Sequence, residues 1–197
     1  MSYQTYKTEA FILKGQALGE GNRLLFVLTK ELGYLPVFAR SARLNTSKLR
    51  YALQDLSYAS LALVRGREYW RVVGAENSEH LWRSLGGDKE KLRLFSQLAT
   101  LIARLFHGEE KNEKLFAIFM EAASFLKTEN FSSDENALLE AVLVARVLSA
   151  LGYFPERNFY QKLLKNPLIS KDFLKLILPV RRNLYRDINA SLKATHL

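Results

Sequence analysis

The sequence predicts an α+β chain in which a small five-stranded β-barrel, residues 1–79, is followed by an all-α helical domain, residues 80–197. Three observations carry this. Up to Glu76 the apolar residues come in short β-branched or aromatic blocks separated by glycine and polar turns, the spacing of consecutive strands. Beyond Leu81 the apolar period becomes three and four, and the punctuation turns into helix caps. The chain has 197 residues, 48% of them apolar, enough for one domain or two small ones without covalent staples.

Five strands can be drawn, from Thr8 to Gly15, Arg23 to Lys30, Tyr34 to Arg40, Leu53 to Val64 and Glu68 to Glu76. Between the first two lies the glycine-rich stretch from Gly15 to Asn22, which reads as a turn. Glu31 to Gly33 and Arg65 to Arg67 are short enough to close antiparallel hairpins, whereas the link from Ser41 to Ala52 is longer and polar. Three hairpin-linked strands, one excursion and a closing hairpin fit a barrel of the OB-fold type, a common platform for oligonucleotides.

In the second half Asp88 can cap a helix whose inner stripe is Leu92, Phe95, Leu98, Ile102, Leu105 and Phe106, ended by Gly108. A helix from Asn112 would bury Leu115, Phe116, Phe119, Ala123 and Leu126. Ser132 with Glu135 has the spacing of a capping box, and the helix that follows reaches Leu151 with so few polar interruptions, Arg146 among them, that it should be central. Gly152 and Pro155 stop it. Pro167 and Pro179 divide the remainder into short helices, the last with the apolar edge Leu184, Ile188 and Leu192. Ser78 to Asp88, with its Gly86-Gly87 pair, reads as the hinge.

The 29 Lys and Arg against 20 Asp and Glu leave a formal charge of +9. Such an excess favours a polyanionic partner, nucleic acid or an anionic membrane surface. Residues 1–83 hold 12 basic and 7 acidic side chains, so the barrel half is basic in its own right. With no cysteine in the chain, disulfides, thiolate zinc sites and cysteine nucleophiles are excluded. No signal-peptide pattern opens the chain and no apolar run approaches the roughly 18 residues of a membrane span, so a cytoplasmic protein that does not cross a membrane is expected.

Enzyme signatures fail one after another. Leu18-Gly-Glu-Gly-Asn-Arg-Leu24 starts like a dinucleotide fingerprint, but Leu24 stands where the third glycine belongs and a strand follows where a helix is required. There is no phosphate loop of the Gly-x4-Gly-Lys type and no Gly-x-Ser-x-Gly elbow. His80, His107 and His196 lie far apart. Glu109, Glu110 and Glu113 read as carboxylates favoured at a helix start, and no catalytic or metal-binding residue is expected.

The informative run is Leu32 to Gln54, which has no acid and carries Arg40, Arg43, Lys48 and Arg50, the last three in or beside a Ser/Thr/Asn loop. Such a loop offers cations and hydroxyls to phosphates. The second hairpin adds Arg65, Arg67 and Arg71. Strand alternation puts Tyr69 and Arg71 on one face and Trp70 and Val72 on the other, which makes Trp70 core and leaves Tyr69 as a stacking surface.

These residues resemble a known family. Thr8-Glu-Ala-Phe-Ile-Leu-Lys14, Leu18-Gly-Glu-Gly-Asn-Arg-Leu-Leu25, Thr29-Lys-Glu-Leu-Gly33, Ala39-Arg-Ser-Ala-Arg43, Ser47, Leu53-Gln54 and Arg65-Gly-Arg67 are similar, in order and spacing, to the N-terminal domain of the RecO recombination mediators. Leu148-Ser-Ala-Leu-Gly-Tyr-Phe-Pro155 is similar to a segment of that family's helical domain. The resemblance implies a non-enzymatic mediator that binds single- and double-stranded DNA, anneals complementary strands and helps load recombinase onto coated strands in repair. It implies RecR and the acidic C-terminal tail of single-strand DNA-binding protein as partners, and it puts Arg23, Arg40 and Arg43 on the family's recurrent basic positions. Ser41 departs from the family's usual glycine. The four-cysteine zinc site of many members has no counterpart, so no zinc and no other cofactor is expected. The chain is short for the family, which implies a trimmed helical domain.

Two other readings stay open: an RNA-binding or ribosome-associated OB protein, and a scaffold whose helical half captures an acidic tail through Arg181, Arg182 and Arg186.

Overall fold

Strand β1 (Thr5–Leu18) is long because it serves two neighbours. It pairs with β4 (Ser57–Arg65) from Thr5 opposite Val64 to Ile12 opposite Ser57, and with β2 (Asn22–Thr29) from Ala10 opposite Thr29 to Leu18 opposite Asn22. A register shift between Ile12 and Lys14 interrupts the second ladder, as a bulge does where a strand bends. β3 (Gly33–Ala39) follows β2 and meets the start of β5 (Trp70–His80) in parallel, Val37 opposite Trp70 and Phe38 opposite Arg71. Antiparallel pairing of β4 with β5 closes the barrel in the order β1-β2-β3-β5-β4, the OB-fold. The structure is a computed structural model and describes residues 4–106, 108–165 and 169–195. His107, Pro167 and His196 lie outside the described residues.

Alternation fills the barrel. Ile12, Leu25, Val27, Leu35, Val37 and Leu61 are wholly buried, each worth about 1.5–3 kcal/mol of apolar burial. Trp70 joins them at 5% exposure, its ring edge-on to Tyr6 at 5.2 Å.

Several boundaries differ from the expected ones, for local reasons. Gly15 to Leu18 are strand rather than turn, because the reversal is confined to the three residues Gly19 to Gly21. The link after β3 contains a helical turn, α1 (Leu49–Ala52), too short to show a period, and Leu53 caps it instead of starting β4. Leu56, at φ +53°, turns the chain into β4. The stretch expected to be a hinge is partly built: β5 runs to His80, α2 (Leu81–Ser84) follows, and Leu81 and Leu85 are buried.

The chain separates into two compact units, Met1–Asp88 with Phe106–Phe116, and Lys89–Leu105 with Ala117–Leu197. Within the first, residues 109–116 pack on the barrel. Gly33, at φ +76°, takes the Glu110 backbone so closely that a Cβ would collide with it. Lys111 bridges Glu31 at 3.0 Å and Glu113 at 2.8 Å, and Phe116 meets Phe11 at 5.6 Å between ring centroids. Of the three expected helix-start carboxylates only Glu113 lies in a helix, α4 (Glu113–Thr128), whose first turn is closed by Asn112 accepting from the Leu115 amide at 2.9 Å.

In the second unit α5 (Ser133–Ala150) packs against α3 (Lys89–Leu105), α6 (Gln161–Lys165), α7 (Lys171–Ile177) and α8 (Arg181–Ala194), the central place its sequence implied. The stripe of α3 is shifted: Leu94 and Ala99 are buried, while Leu92 is half-buried and Phe106 lies past the helix end. On α8 the buried edge is Leu184, Asp187, Ile188 and Ser191, with Leu192 half-buried. Arg146 is buried against α4: its Nη1 bonds Glu121 Oε2 at 2.7 Å and its Nε donates to the Leu163 carbonyl at 3.0 Å.

Candidate nucleic-acid interface

The basic link leaves β3 at Ala39 and is held from its first residues. Ser41 sits in the left-handed region at φ +54°, and its amide donates to Asn22 Oδ1 at 2.9 Å. The Arg43 amide donates to the Gly21 carbonyl at 2.9 Å, and its guanidinium to the Gly19 carbonyl at 3.2 Å. The glycine turn that imitates a dinucleotide fingerprint therefore has a different task. Its carbonyls point into the link and secure it.

Arg40, Arg43, Lys48 and Arg50 all project to solvent from this link. The Arg50 guanidinium bonds Asn45 Oδ1, and none of the four makes an ion pair among the described residues. Cations that make no ion pair can be neutralised by phosphates without first giving up a carboxylate.

Arg23 departs from the expected group. Its guanidinium lies across Gly15, where a Cβ would collide with it, donates to the Leu53 carbonyl at 2.6 Å and pairs with Asp55 at 2.6 Å. The side chain is 18% exposed. This cation is already bonded to the far end of the basic link, and a phosphate would have to displace Asp55 to reach it. Arg65 is compromised less. It lies 3.7 Å from Glu109 and over the Trp70 ring at 5.6 Å, yet stays 70% exposed.

Of the second hairpin's cations only Arg71 comes near the link through the β3–β5 pairing; the hairpin before β5 lies toward the β2–β3 turn, where Arg65 meets Glu109 and Gly33 meets Glu110. Phe38 opposite Arg71 puts Arg71 on the outer face of the barrel, and Arg40, exposed, follows directly after the end of β3. Tyr69, 38% exposed, and the exposed Arg67 lie in the bend that precedes β5. Arg67 and Arg71 make no ion pair among the described residues. Sequence reasoning missed the floor of this surface. Phe26, Tyr34, Pro36 and Phe38 are outward and half-buried, with the Phe26 and Tyr34 rings stacked at 6.3 Å. The signal was present, since each alternates with a wholly buried neighbour.

The second unit offers less. Arg186 is bonded to the buried Asp187 at 3.1 Å, which also holds Arg157 at 3.2 Å and the Tyr160 hydroxyl at 2.9 Å. Burial, reinforced by Asp187, pushes the Tyr160 phenol up. Arg181 and Arg182 are exposed at the start of α8 without an ion pair among the described residues. A shallow pocket of about 440 Å³ is lined by Tyr153, Phe154, Arg157, Asp187 and Ser191, among others. Among the described residues no group of His, Asp and Glu is placed to hold a metal ion, and no helix is long and apolar enough to cross a membrane.

Comparison with known proteins puts this geometry in context. Residues 1–79 match the family described as Recombination protein O N terminal. The chain is 32% identical over 151 residues to the DNA repair protein RecO of Heliobacterium modesticaldum, covering 77% of this chain and 53% of that protein. It is 29% identical over 154 residues to the RecO of Thermodesulfovibrio yellowstonii, 77% of this chain and 59% of that one. With the RecO of Dehalococcoides mccartyi it shares 29% identity over 194 residues, 96% of this chain and 75% of that protein. The chain thus spans little more than half the length of the first two relatives.

Proposed function

Because the chain belongs to the RecO family of DNA repair proteins, we propose that it is a DNA-binding recombination mediator whose barrel neutralises phosphates and brings complementary strands together. The observation that carries this reading is the set of cations without an ion pair among the described residues, Arg40, Arg43, Lys48 and Arg50 on the link with Arg71 opposite the outward Phe38 near its root. Two strands repel each other through their phosphates, so a surface that cancels that charge speeds their approach with no covalent step. Tyr69 and the outer aromatics add sequence-tolerant stacking of bases, at about 1–3 kcal/mol per base. Such a protein acts by binding and needs no catalytic side chain or cofactor.

In the same reading the chain assists recombinase loading, with RecR and the acidic tail of single-strand DNA-binding protein as partners, and it works in the cytoplasm at the nucleoid. Family membership supports these partners, and the exposed Arg181 and Arg182 supply charge suited to an acidic tail.

Charge reversal tests the proposal. With Arg40, Arg43, Lys48 and Arg50 all changed to Glu, a gel-shift assay should find no complex with single-stranded DNA while circular dichroism stays that of the unaltered chain. Undiminished binding by that variant would remove the link from the interface. Competition with RNA of the same sequence separates the DNA reading from an RNA-binding one, since selective RNA readout uses the 2′-hydroxyl.

A further inference from the structure

The two residues that follow the glycine turn reach opposite ends of the basic link. Asn22 Oδ1 accepts from the Ser41 amide at 2.9 Å, at the root where the link leaves β3. Arg23 bonds the Leu53 carbonyl and Asp55, each at 2.6 Å, at the root where the link returns to β4. Between them the carbonyls of Gly19 and Gly21 take the guanidinium and the amide of Arg43. The link leaves one root at a left-handed Ser41 and enters the other through a left-handed Leu56, conformations that L-residues hold only when their surroundings fix them.

From this geometry we infer that the β1–β2 turn is a clamp and that Asn22 and Arg23 are positioning residues for nucleic-acid binding: they hold both roots of the basic link and touch no phosphate themselves. The inference rests on the reading of the link as the phosphate-binding element. Its physical content is preorganisation. A link of about a dozen residues that is ordered before binding does not lose that conformational freedom when the strand arrives, and the gain appears as affinity. Arg is required at position 23 because one planar guanidinium serves a carbonyl and a carboxylate through two nitrogens, whereas a lysine offers a single charged point. Gly15 is required beneath it, since any Cβ there would occupy the guanidinium's place.

A phosphate contact and a clamp differ in their salt signature. Each phosphate contact adds about 0.7 to the slope of log affinity against log salt on a single strand, and a positioning residue adds nothing. The experiment measures binding of a labelled single-stranded oligonucleotide by the full chain over a range of salt, for Asn22→Ala, Arg23→Ala, Arg23→Lys and the comparator Arg40→Ala. Amide hydrogen exchange at Ser41 and Arg43 is followed in the free proteins. Expected for Asn22→Ala and Arg23→Ala are binding weakened about fivefold with the slope unchanged, and exchange at Ser41 faster by about fivefold in Asn22→Ala, the worth of one lost hydrogen bond. Arg23→Lys should weaken binding as much as Arg23→Ala does, while Arg40→Ala should lower the slope by about 0.7. A shallower slope in Arg23→Ala, or wild-type affinity in Arg23→Lys, would overturn the inference and make Arg23 a phosphate ligand. So would unchanged exchange at Ser41 in Asn22→Ala, a variant that leaves the Arg23 ion pair in place should Arg23→Ala fail to fold. Should the unaltered chain itself show no salt-dependent binding, the interface reading fails, and the exchange rates of the free proteins alone decide whether the clamp exists.

Discussion

Glu9 illustrates how single side chains hold the barrel seam. Its carboxylate accepts from Lys30 Nζ at 2.8 Å and from the Tyr58 hydroxyl, joining β1 to the β2–β3 turn on one side and to β4 on the other. Lys30 first, and Tyr58 next, hold the carboxyl below its ordinary 4.5. A carboxylate whose folded pKa is depressed contributes stability above its unfolded pKa, and that contribution is lost as pH falls through the folded value. Glu9→Gln should therefore lower the melting temperature at neutral pH, and the gap from the unaltered protein should close in acid. Arg146 and Glu121 behave differently, because both are inside. Burial pushes the Glu121 carboxyl up and the Arg146 guanidinium down, each opposed by the other's charge. Glu121→Ala removes the carboxylate that pairs a buried cation, so urea unfolding should report a loss of about 3–5 kcal/mol, whereas replacing both residues by apolar ones of similar volume should cost far less.

Among the elements, α5 was the most legible and the basic link the least. The Ser132–Glu135 capping box forms as its spacing implied, with the Ser132 amide on Glu135 Oε2 at 2.8 Å and the Glu135 amide on Ser132 Oγ at 3.3 Å. Ser132→Ala should cost about 1 kcal/mol, measured by thermal or urea unfolding. The other end is equally local: Gly152 sits at φ +80° and the Tyr153 amide returns to the Leu148 carbonyl at 2.8 Å. Caps are written within a few residues, so they can be read from the sequence. The bond from Arg23 to Asp55 spans thirty-two positions and the one from Ser41 to Asn22 nineteen, and no local pattern announces either. That is why Arg23 read only as one of the recurrent basic positions and the glycine stretch as a plain turn. Strand alternation did identify Trp70 as core and Arg71 as outward, and the same rule applied to Phe26, Tyr34 and Phe38 would have revealed the aromatic floor.

For the molecule as a whole, the excess charge matters less than where it is left unpaired. Of the eight barrel cations that the sequence singled out, Arg23 and Arg65 face Asp55 and Glu109, while the other six make no ion pair among the described residues. Four of those six lie on the link, and the parallel β3–β5 pairing brings Arg71 level with the end of β3 where the link begins, while Arg67 lies on the hairpin at the opposite end of that ladder. If about five of them meet phosphates on a single strand, log affinity should fall against log salt with a slope of about −3.5, a loss of roughly a hundredfold between about 50 and about 200 mM. Titration of the unaltered chain with a labelled single strand across that range is the decisive measurement. A steep linear fall of this size, nearly flattened when the four link cations are reversed, is the expected result; an affinity indifferent to salt would contradict it.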